Sequence, residues 1–300
     1  MSRTARVAIV GAGALGQSLA HLLREKKSVR ASLYDKEAGK VPDQGTLEET
    51  VSGASVILFC VPSWAFRGAL EEAGRFLSDG ALAVALSKGL EEHSLKTMDA
   101  ICDEALPPKA PWALLSGPML ARELTEGLAG SGVVASRSRE PLRTLRKIFR
   151  GTPLSLSYSA DARGVALCGV LKNIYSFGIG MADGLRLGNN AKGILVFRAL
   201  DEMIKLVAKL GGKRSTVSGL AGIGDFVATC FSPFSRNRMA GESIGETGAC
   251  SFTSEGSYSL AAFEELLRRE EVNIPPFFQL IADVNRGGDT RTLFENFLIS

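Results

Sequence analysis

The chain has 300 residues, a formal net charge of +3 and a charged fraction of 22%. This length exceeds what one compact core usually holds, so we expect two domains. The small net charge gives no electrostatic case for a nucleic acid or a membrane surface as partner, which leaves small molecules. The five cysteines have no metal-ligand spacing, so they predict reduced thiols and no metal site.

The first residues and the apolar runs predict a soluble, cytoplasmic protein. Residues 1–6 lead straight into a strand-like segment and leave no room for a signal peptide. We also find no apolar run that reaches the roughly 20 residues needed to span a bilayer, so we expect no membrane span.

The first half of the chain alternates short apolar runs with helix-length segments. Strands are predicted at residues 6–11, 29–35, 55–62, 82–89, 112–118, 132–136 and 154–158. Strands that are apolar on both faces and alternate with helices indicate a parallel sheet covered by helices. After about residue 158 the pattern changes to long helical periodicities broken by glycine. We therefore predict an α/β dinucleotide-binding domain over 1–158 and an all-α substrate and catalytic domain over 159–300.

A glycine loop follows the first strand. The segment "GAGALG" has glycines at 11, 13 and 16, and a helical segment comes next. Strand, glycine loop and helix in this order predict a doubly wound, Rossmann-type sheet that binds a dinucleotide, with the pyrophosphate on the helix N-terminus. The alternative is a glycine-rich turn that binds no ligand.

The end of the second strand bears on the choice of cofactor. Asp35 lies where an acidic side chain binds the adenosine ribose hydroxyls, which favours NAD. Lys36 follows directly, and its charge would attract a 2′-phosphate, so NADP stays open. Asp35 would also suit the start of a turn.

Small and polar residues follow three later strands, in segments 60–63, 86–89 and 115–118. Open α/β sheets bind ligands at this edge. Lys88 is the only cation in these segments. A lysine at a strand end is usually solvated, but the position of Lys88 on the same edge as the glycine loop favours a ligand contact.

The segment 164–180 is apolar, and Lys172 is its single charge. A helical projection puts Lys172 on a small, polar face with Asn173 and Ser176, and we expect that face to line a cleft. The alternative is a solvated lysine, which is the more common case. Because the chain has only two histidines, both in helix-like segments, Lys172 is the leading candidate proton carrier.

Two later motifs carry polar groups. Asp225 follows three glycines in "SGLAGIGD", and "SPFSRNRMAG" places Ser235, Arg236 and Asn237 together. Arginine, asparagine and serine donors suit a phosphate dianion. Alternatively, the second motif is a surface turn or a helix start, and Asp225 is a helix cap.

Segments 164–203, 219–241 and 254–267 resemble the bacterial type of NAD(P)-dependent glycerol-3-phosphate dehydrogenase. The resemblance covers nearly the whole chain, and the L-K-N and S-R-N-R motifs at this separation are specific. It implies hydride transfer between NAD(P)H and dihydroxyacetone phosphate, which would supply glycerol 3-phosphate for phospholipid synthesis.

The resemblance also implies roles for individual residues. The L-K-N lysine, here Lys172, is the proton donor and acceptor and binds substrate, and the S-K-G lysine, here Lys88, contacts substrate and cofactor. The other residues assigned to the substrate are Gly117, Asp225, Ser235, Arg236 and Asn237. Those assigned to the cofactor are Gly11, Gly13, Ala14, Leu15, Gly16, Asp35, Lys36, Ala121, Arg236 and Glu255.

The chain departs from the family pattern at several positions. Ala14 and Leu15 replace the usual Ser-Trp of the glycine loop, and Met119 stands where many members have a substrate-contacting serine. The segment 36–45 is shorter than the usual loop, and Asp35 replaces a small residue. These changes bear on cofactor preference and turnover more than on the type of reaction.

Two alternatives to this function remain. A 3-hydroxyacid or ketopantoate reductase would share the glycine loop and a helical lysine but would not need the S-R-N-R motif. A nucleotide-binding sensor without catalysis would fit the replacements at Leu15 and Met119. The apolar helical half would also suit a homodimer.

Overall fold

The structure is a computed structural model that describes residues 4–299. The chain forms two compact units, Met1–Ser87 with Met98–Ala162, and Lys88–Thr97 with Arg163–Ser300. The short segment that begins at Lys88 therefore belongs to the second unit although it follows a strand of the first. The domain boundary predicted between residues 158 and 159 remains a prediction.

The first unit contains one seven-stranded sheet. Its strands are β1 (Ala5–Val10), β2 (Val29–Tyr34), β3 (Val56–Phe59), β4 (Leu82–Ala85), β5 (Trp112–Ser116), β6 (Gly130–Ala135) and β7 (Leu154–Ser159). Their order across the sheet is β2-β1-β3-β4-β5-β6-β7. The seven predicted strands and the doubly wound architecture are confirmed.

The expectation of a wholly parallel sheet was wrong at one position. β6 runs antiparallel to β5, with Leu115 opposite Val134, and β7 is parallel to β6. A continuous apolar run indicates a strand that is covered on both faces. A single reversed strand in such a sheet is covered in the same way, so its run does not reveal its direction.

Helices cover the sheet and connect its strands. They are α1 (Ala14–Arg24), α2 (Leu47–Val51), α3 (Ser63–Gly74), α4 (Met98–Ala105), α5 (Ala121–Thr125) and α6 (Glu140–Phe149). One apolar core joins the sheet to these helices, and it includes Ile9, Leu19, Val84 and Leu145.

The second unit is helical, as predicted. Its helices are α7 (Ala162–Gly184), α8 (Gly188–Lys209), α9 (Arg214–Val217), α10 (Asp225–Phe231), α11 (Arg236–Thr247), α12 (Glu255–Arg269), α13 (Pro276–Asn285) and α14 (Thr290–Ile299). A π-helical turn, Leu220–Gly224, leads directly into α10.

α7 is the central helix of the second unit. Every residue from 164 to 182 is buried, so the polar face that we expected to line a cleft has little exposed surface, and Lys172 on it is 7% exposed. By length and composition alone, α7 could span a membrane. The expectation that no apolar run is long enough to do so was therefore wrong. This apolar stretch is entirely buried inside the protein, which is the setting of a core helix.

Glycines bring α7 and α11 into backbone contact. A Cβ atom at Gly180 of α7 would lie 2.1 Å from the carbonyl oxygen of Arg238, and one at Gly241 of α11 would lie 1.9 Å from that of Phe177. No side chain larger than hydrogen fits at either position. The glycines of the apolar run therefore allow α11, which begins with the S-R-N motif, to lie directly against the L-K-N helix.

Candidate functional site

The glycine loop has the geometry that a dinucleotide needs. Gly11 has a φ of +104°, and a Cβ at Gly16 would lie 1.9 Å from the Gly11 carbonyl oxygen. Gly13 precedes α1 and has no side chain to cap it, so the N–H groups of the first helical turn are left for an anion. This loop therefore fits the pyrophosphate of a dinucleotide.

Ala14 and Leu15, also assigned to the cofactor, begin α1. Ala14 is exposed, whereas Leu15 is half-buried and packs against the core of the first unit. The leucine that replaces the usual tryptophan thus contributes to the interior of this unit.

Asp35 is held against the glycine loop. Its carboxylate accepts hydrogen bonds from the backbone N–H of Ala12 at 2.7 Å and of Glu37 at 2.9 Å. Gln44 fixes the backbone of Asp35 through two hydrogen bonds, and Lys40 lies 3.7 Å from its carboxylate. Lys36 is exposed beside it. Sequence reasoning missed Gln44 and Lys40, since the turn that returns them to Asp35 has no distinctive pattern.

Residues after β5 have mainly structural contacts. Gly117 has a φ of +121°, and a Cβ there would lie 2.6 Å from the Ser131 carbonyl oxygen. Met119, the departure from the family pattern, is 7% exposed and lies in the core of the first unit. Its side chain therefore fills the interior. Ala121, which the resemblance assigns to the cofactor, begins α5.

The second unit holds a cluster of two lysines and one aspartate, in which Lys172 and Asp225 are buried and Lys88 is half-buried. The Lys88 ammonium lies 2.6 Å from Oδ2 of Asp225, and the Lys172 ammonium lies 3.2 Å from Oδ1 of the same carboxylate. Lys172 also donates a 2.9 Å hydrogen bond to the Thr229 hydroxyl, which donates at 2.7 Å to the Asp225 carbonyl oxygen. Residues that lie far apart in the sequence therefore share one carboxylate.

Burial sets the protonation of this cluster. It lowers the pKa of Lys172 to about 8; the nearby Lys88 charge acts in the same direction, and Asp225 opposes it. Burial alone would raise the pKa of Asp225, but the two ammonium groups outweigh it and the pKa is lowered. Asp225 therefore stays ionised near neutral pH, while Lys172 can exchange a proton.

Thr229 is a residue of this cluster that sequence reasoning missed. It lies four residues after Asp225 in α10, so the two side chains are on the same face of the helix. The spacing was evident in the sequence, but it indicates a site residue only once Asp225 is known to lie beside Lys172.

A chain of amide hydrogen bonds runs from the cluster to two helix starts. Asn173 donates to the Lys88 carbonyl oxygen at 2.7 Å, and its own side-chain oxygen accepts from Asn237 at 2.8 Å. The Asn237 oxygen accepts from the backbone N–H of Gly256 at 2.8 Å. This chain ties the Lys88 segment, the start of α11 and the start of α12 to α7, and it places Glu255, the first residue of α12, next to Gly256.

The S-R-N-R motif contributes fewer free donors than its composition indicates. The guanidinium of Arg238 is held by Asp183 at 2.6 Å and by both carboxylate oxygens of Glu242 at 3.1 Å. Ser235 caps α11 by accepting from the N–H of Arg238. Arg236 is exposed, and its guanidinium lies over the Phe252 ring at 5.2 Å.

A glycine loop before the first helix of a doubly wound sheet, joined to a helical unit with a proton-exchanging lysine, is the combination found in nicotinamide-dependent dehydrogenases. The family model described as the C-terminus of NAD-dependent glycerol-3-phosphate dehydrogenase matches residues 161–294, and its N-terminal counterpart matches residues 38–141. The chain belongs to this family.

Several individual proteins resemble the chain. A glycerol-3-phosphate dehydrogenase [NAD(P)+] of Azotobacter vinelandii is 35% identical over 261 residues, which is 80% of this chain and 76% of the relative. One of Fusobacterium nucleatum is 32% identical over 97% of this chain and 93% of its own length. The crystal structure of the Coxiella burnetii glycerol-3-phosphate dehydrogenase matches with a TM-score of 0.91 at 28% identity over 99% of both chains.

A ketopantoate reductase of Staphylococcus aureus shares the fold at a TM-score of 0.56 and 14% identity, over 97% of this chain and 99% of that one. At that identity the likeness concerns the fold alone. The N-terminal family match begins at residue 38, beyond the glycine loop and Asp35, so the interpretation of that loop rests on its own geometry.

Proposed function

We propose that this protein interconverts dihydroxyacetone phosphate and sn-glycerol 3-phosphate with NAD(H) or NADP(H). The observation that carries the proposal is the Lys172–Asp225–Lys88 cluster in a chain of this family. The cluster combines Lys172, whose pKa is lowered to about 8 by burial, with the side-chain amine of Lys88 on the same carboxylate.

The chemistry follows from these charges. When bound, the dinucleotide supplies the hydride. The Lys172 ammonium donates a proton to the carbonyl oxygen of the substrate as negative charge develops there, and Lys88 stabilises the same charge. Asp225 holds both ammonium groups in place, and Thr229 orients Lys172. In the reverse reaction the neutral amine of Lys172 takes the proton of the alcohol.

We assign the phosphate of the substrate to Arg236 at the start of α11. Arg238 is held by Asp183 and Glu242, so it positions the helix. Ser235 and Asn237, predicted as substrate contacts, have structural hydrogen bonds at the same helix start. Gly117, predicted as a further contact, remains part of the proposal. Binding energy from the phosphate would position the reacting carbonyl.

We assign the dinucleotide to the glycine loop of the first unit. Gly11, Gly13 and Gly16 give the pyrophosphate access to the first turn of α1, and Asp35 would accept from the ribose hydroxyls. The contacts of Ala14, Leu15, Lys36, Ala121, Lys88, Arg236 and Glu255 with the cofactor are proposed from the family resemblance.

We further propose a cytoplasmic location and a role in supplying glycerol 3-phosphate for phospholipid synthesis. Both rest on membership of the family, and the buried setting of α7 is compatible with them.

The test of this function is a direct assay of the purified chain. We expect loss of the absorbance of NADH, or of NADPH, when dihydroxyacetone phosphate is added. Turnover with ketopantoate or a 3-oxoacid in place of dihydroxyacetone phosphate would favour the alternative reductases. Binding of NADH without turnover of any of these substrates would favour a sensor.

The phosphate assignment is tested separately with Arg236→Gln. The change should raise the KM for dihydroxyacetone phosphate by more than it raises the KM for NADH, because Arg236 is also proposed to contact the cofactor. Arg75→Gln, an exposed arginine of the first unit, is the matched control and should leave KM unchanged.

A further inference from the structure

The first unit has a cavity of about 1180 Å³ between α1, β2 and α5. This volume is somewhat above the range of roughly 300–1,000 Å³ that is typical of small-molecule sites. Of the residues assigned above to the dinucleotide, Ala14 and Ala121 line this cavity, while the three loop glycines and Asp35 do not.

The lining of this cavity is strongly basic. Its cationic residues and histidine are His21, Arg24, Lys26, Lys27, Arg30, Lys40 and Arg122. Among the described residues that line it, Glu126 is the one acidic residue, and Arg122 holds it at 2.9 Å. The protein as a whole has a net charge of only +3, so this concentration of charge is local.

Three of these cations have no protein partner. Lys40 is paired with Glu37 at 2.6 Å, and Lys26 donates to the Arg150 carbonyl oxygen. Within residues 4–299, Arg24, Lys27 and Arg30 have neither an ion pair nor a side-chain hydrogen bond, and all three are exposed. Like charges around one concavity repel each other and attract a multivalent anion.

A buried polar group at the cavity independently points to a ligand. Ser18 of α1 lines the cavity and is 1% exposed. Its hydroxyl has no hydrogen-bond partner in the part of the chain that the structure describes. Buried hydroxyls in native proteins are nearly always satisfied, so an unsatisfied one beside a basic cavity is a group that a ligand would complete.

The base of the cavity is apolar. Val29, Ala31 and Leu33 project from the same face of the edge strand β2, and Val41 and Pro42 of the following loop also line the cavity. Arg30 projects from the other face of this strand. A cationic rim over an apolar base suits a molecule with an organic body and an anionic end. Arginine binds phosphate oxygens in a bidentate manner, so phosphate suits this rim better than an isolated carboxylate does.

We propose that this cavity is a second ligand site, for a phosphorylated organic molecule with at least two phosphates, of the nucleoside polyphosphate class. Arg24 and Lys27 bind the phosphates, Ser18 donates to them, and the organic body lies on the apolar face of β2. The site adjoins that of the dinucleotide at Ala14 and Ala121 but does not include the three loop glycines or Asp35, and it does not depend on the proposed reaction.

The test is isothermal titration of ATP, without divalent cations, into the full chain saturated with NADH, so that the glycine loop is occupied. We expect one ATP per chain, bound more tightly than inorganic tripolyphosphate because the nucleoside adds contacts with β2. The double variant Arg24→Gln, Lys27→Gln should weaken ATP binding by about tenfold or more.

A matched control separates the site from general charge effects. Arg75→Gln with Lys147→Gln removes the same charge from exposed positions of the first unit outside the cavity, and it should change ATP affinity by less than about twofold. Lys27→Gln, in the loop before β2, should weaken binding alone. It provides the test if the double variant fails to fold.

Several results would overturn the proposal. Absence of ATP binding at millimolar concentration, loss of binding on NADH saturation, or equal weakening in the control variant would each do so. Equal affinity for ATP and tripolyphosphate would show that the organic part of the ligand is not recognised. Binding of the chain to phosphatidylglycerol vesicles without ATP binding would show that the site recognises a lipid surface and not a small molecule.

Discussion

Lys172 has a buried ammonium with one carboxylate and one hydroxyl beside it, and a second ammonium shares that carboxylate. The carboxylate only partly offsets the burial, so the pKa of the lysine is lowered to about 8. A group with this pKa is present in both protonation states near neutral pH, which is what a reversible proton transfer requires.

The pH dependence of the two reaction directions should therefore be opposite. Reduction needs the Lys172 ammonium, so its kcat/KM should be constant below a pH of about 8 and fall above it. Oxidation needs the neutral amine, so its kcat/KM should rise through the same range. Values of kcat/KM in both directions from pH 6 to 10, about two units on either side of that pKa, check this. A reduction rate that rises through this range would contradict the assignment.

Asp35 should set the preference between the two cofactors. Its carboxylate lies at the glycine loop, where its charge would repel a 2′-phosphate. In Asp35→Asn, we expect the ratio of kcat/KM for NADPH to that for NADH to rise by about tenfold or more, since one charge contact of this kind is worth on the order of 1–4 kcal/mol.

Asp43→Asn removes the same charge from an exposed position of the following loop and is the control. Its cofactor ratio should stay close to that of the unchanged protein. If both variants change the ratio equally, Asp35 does not discriminate between the cofactors.

At the level of residues, sequence reasoning found the charged members of the site but not their contacts. Lys88, Lys172 and Asp225 are identifiable by residue type, because charges are scarce in apolar or glycine-rich segments. The hydrogen-bond partners of Arg238 and the interior position of Met119 depend on tertiary packing. No local pattern encodes those contacts.

The pair of helices α7 and α11 shows how an element positions the site. Their backbones touch through Gly180 and Gly241, and α11 begins with Arg236 and Asn237. Any side chain between the two helices would move the start of α11 away from Asn173, to which Asn237 is hydrogen-bonded.

Gly241→Ala should therefore lower both stability and substrate affinity. The new Cβ would lie 1.9 Å from the Phe177 carbonyl oxygen, and helix displacement of this kind costs about 1–3 kcal/mol or more. We expect thermal unfolding to shift down by several degrees and the KM for dihydroxyacetone phosphate to rise.

Gly193→Ala is the matched control, because a Cβ there would meet no atom of residues 4–299 within 4 Å. It lies inside α8, where alanine is a better helix former than glycine by about 1 kcal/mol. The expected result is an unchanged or higher unfolding temperature. A drop equal to that of Gly241→Ala would show that the effect does not depend on the helix contact.

Element types were largely predictable from the sequence, and their directions were not. Apolar periodicity distinguishes strands from helices, so the sheet, the glycine loop and the helical half were identified. The reversed direction of β6 left no trace in that periodicity. The glycines of α7 and α11 were evident in the sequence, but their pattern did not predict that the two helices are in contact.

At the scale of the whole molecule, the chain leaves the first unit after β4 and returns at α4. Residues 88–97 pack with the second unit, which is how Lys88 reaches Asp225 across 137 positions of the sequence. Contacts at such separation cannot be inferred from local spacing. A change of periodicity along the chain therefore does not reveal that residues 88–97 belong to the second unit.

The second unit also exposes an apolar stripe on one side of the π-turn and α10. Its members are Leu220, Ile223, Val227 and Phe231, which are 37% to 55% exposed. Contiguous exposed apolar residues are typical of protein interfaces. We expect the stripe to pair with that of a second copy in a symmetric homodimer.

Light scattering coupled to size-exclusion chromatography checks this expectation. The unchanged chain should elute as a dimer and Val227→Asp as a monomer. Ile194→Asp, at an exposed apolar position of α8 outside the stripe, should remain dimeric. A monomeric unchanged chain would contradict the expectation.

The central claim is that Lys172 carries the proton in the reduction of dihydroxyacetone phosphate. The most direct measurement is the rate of NADH oxidation by Lys172→Met at saturating substrate, together with the dissociation constant of NADH for this variant. Lys205→Met, which replaces a surface lysine of α8, is the control. We predict that Lys172→Met loses about a thousandfold in kcat, within the range of general acid catalysis, and keeps its NADH affinity, while the control is unchanged. A Lys172→Met variant that retains a tenth or more of the original kcat would contradict the account.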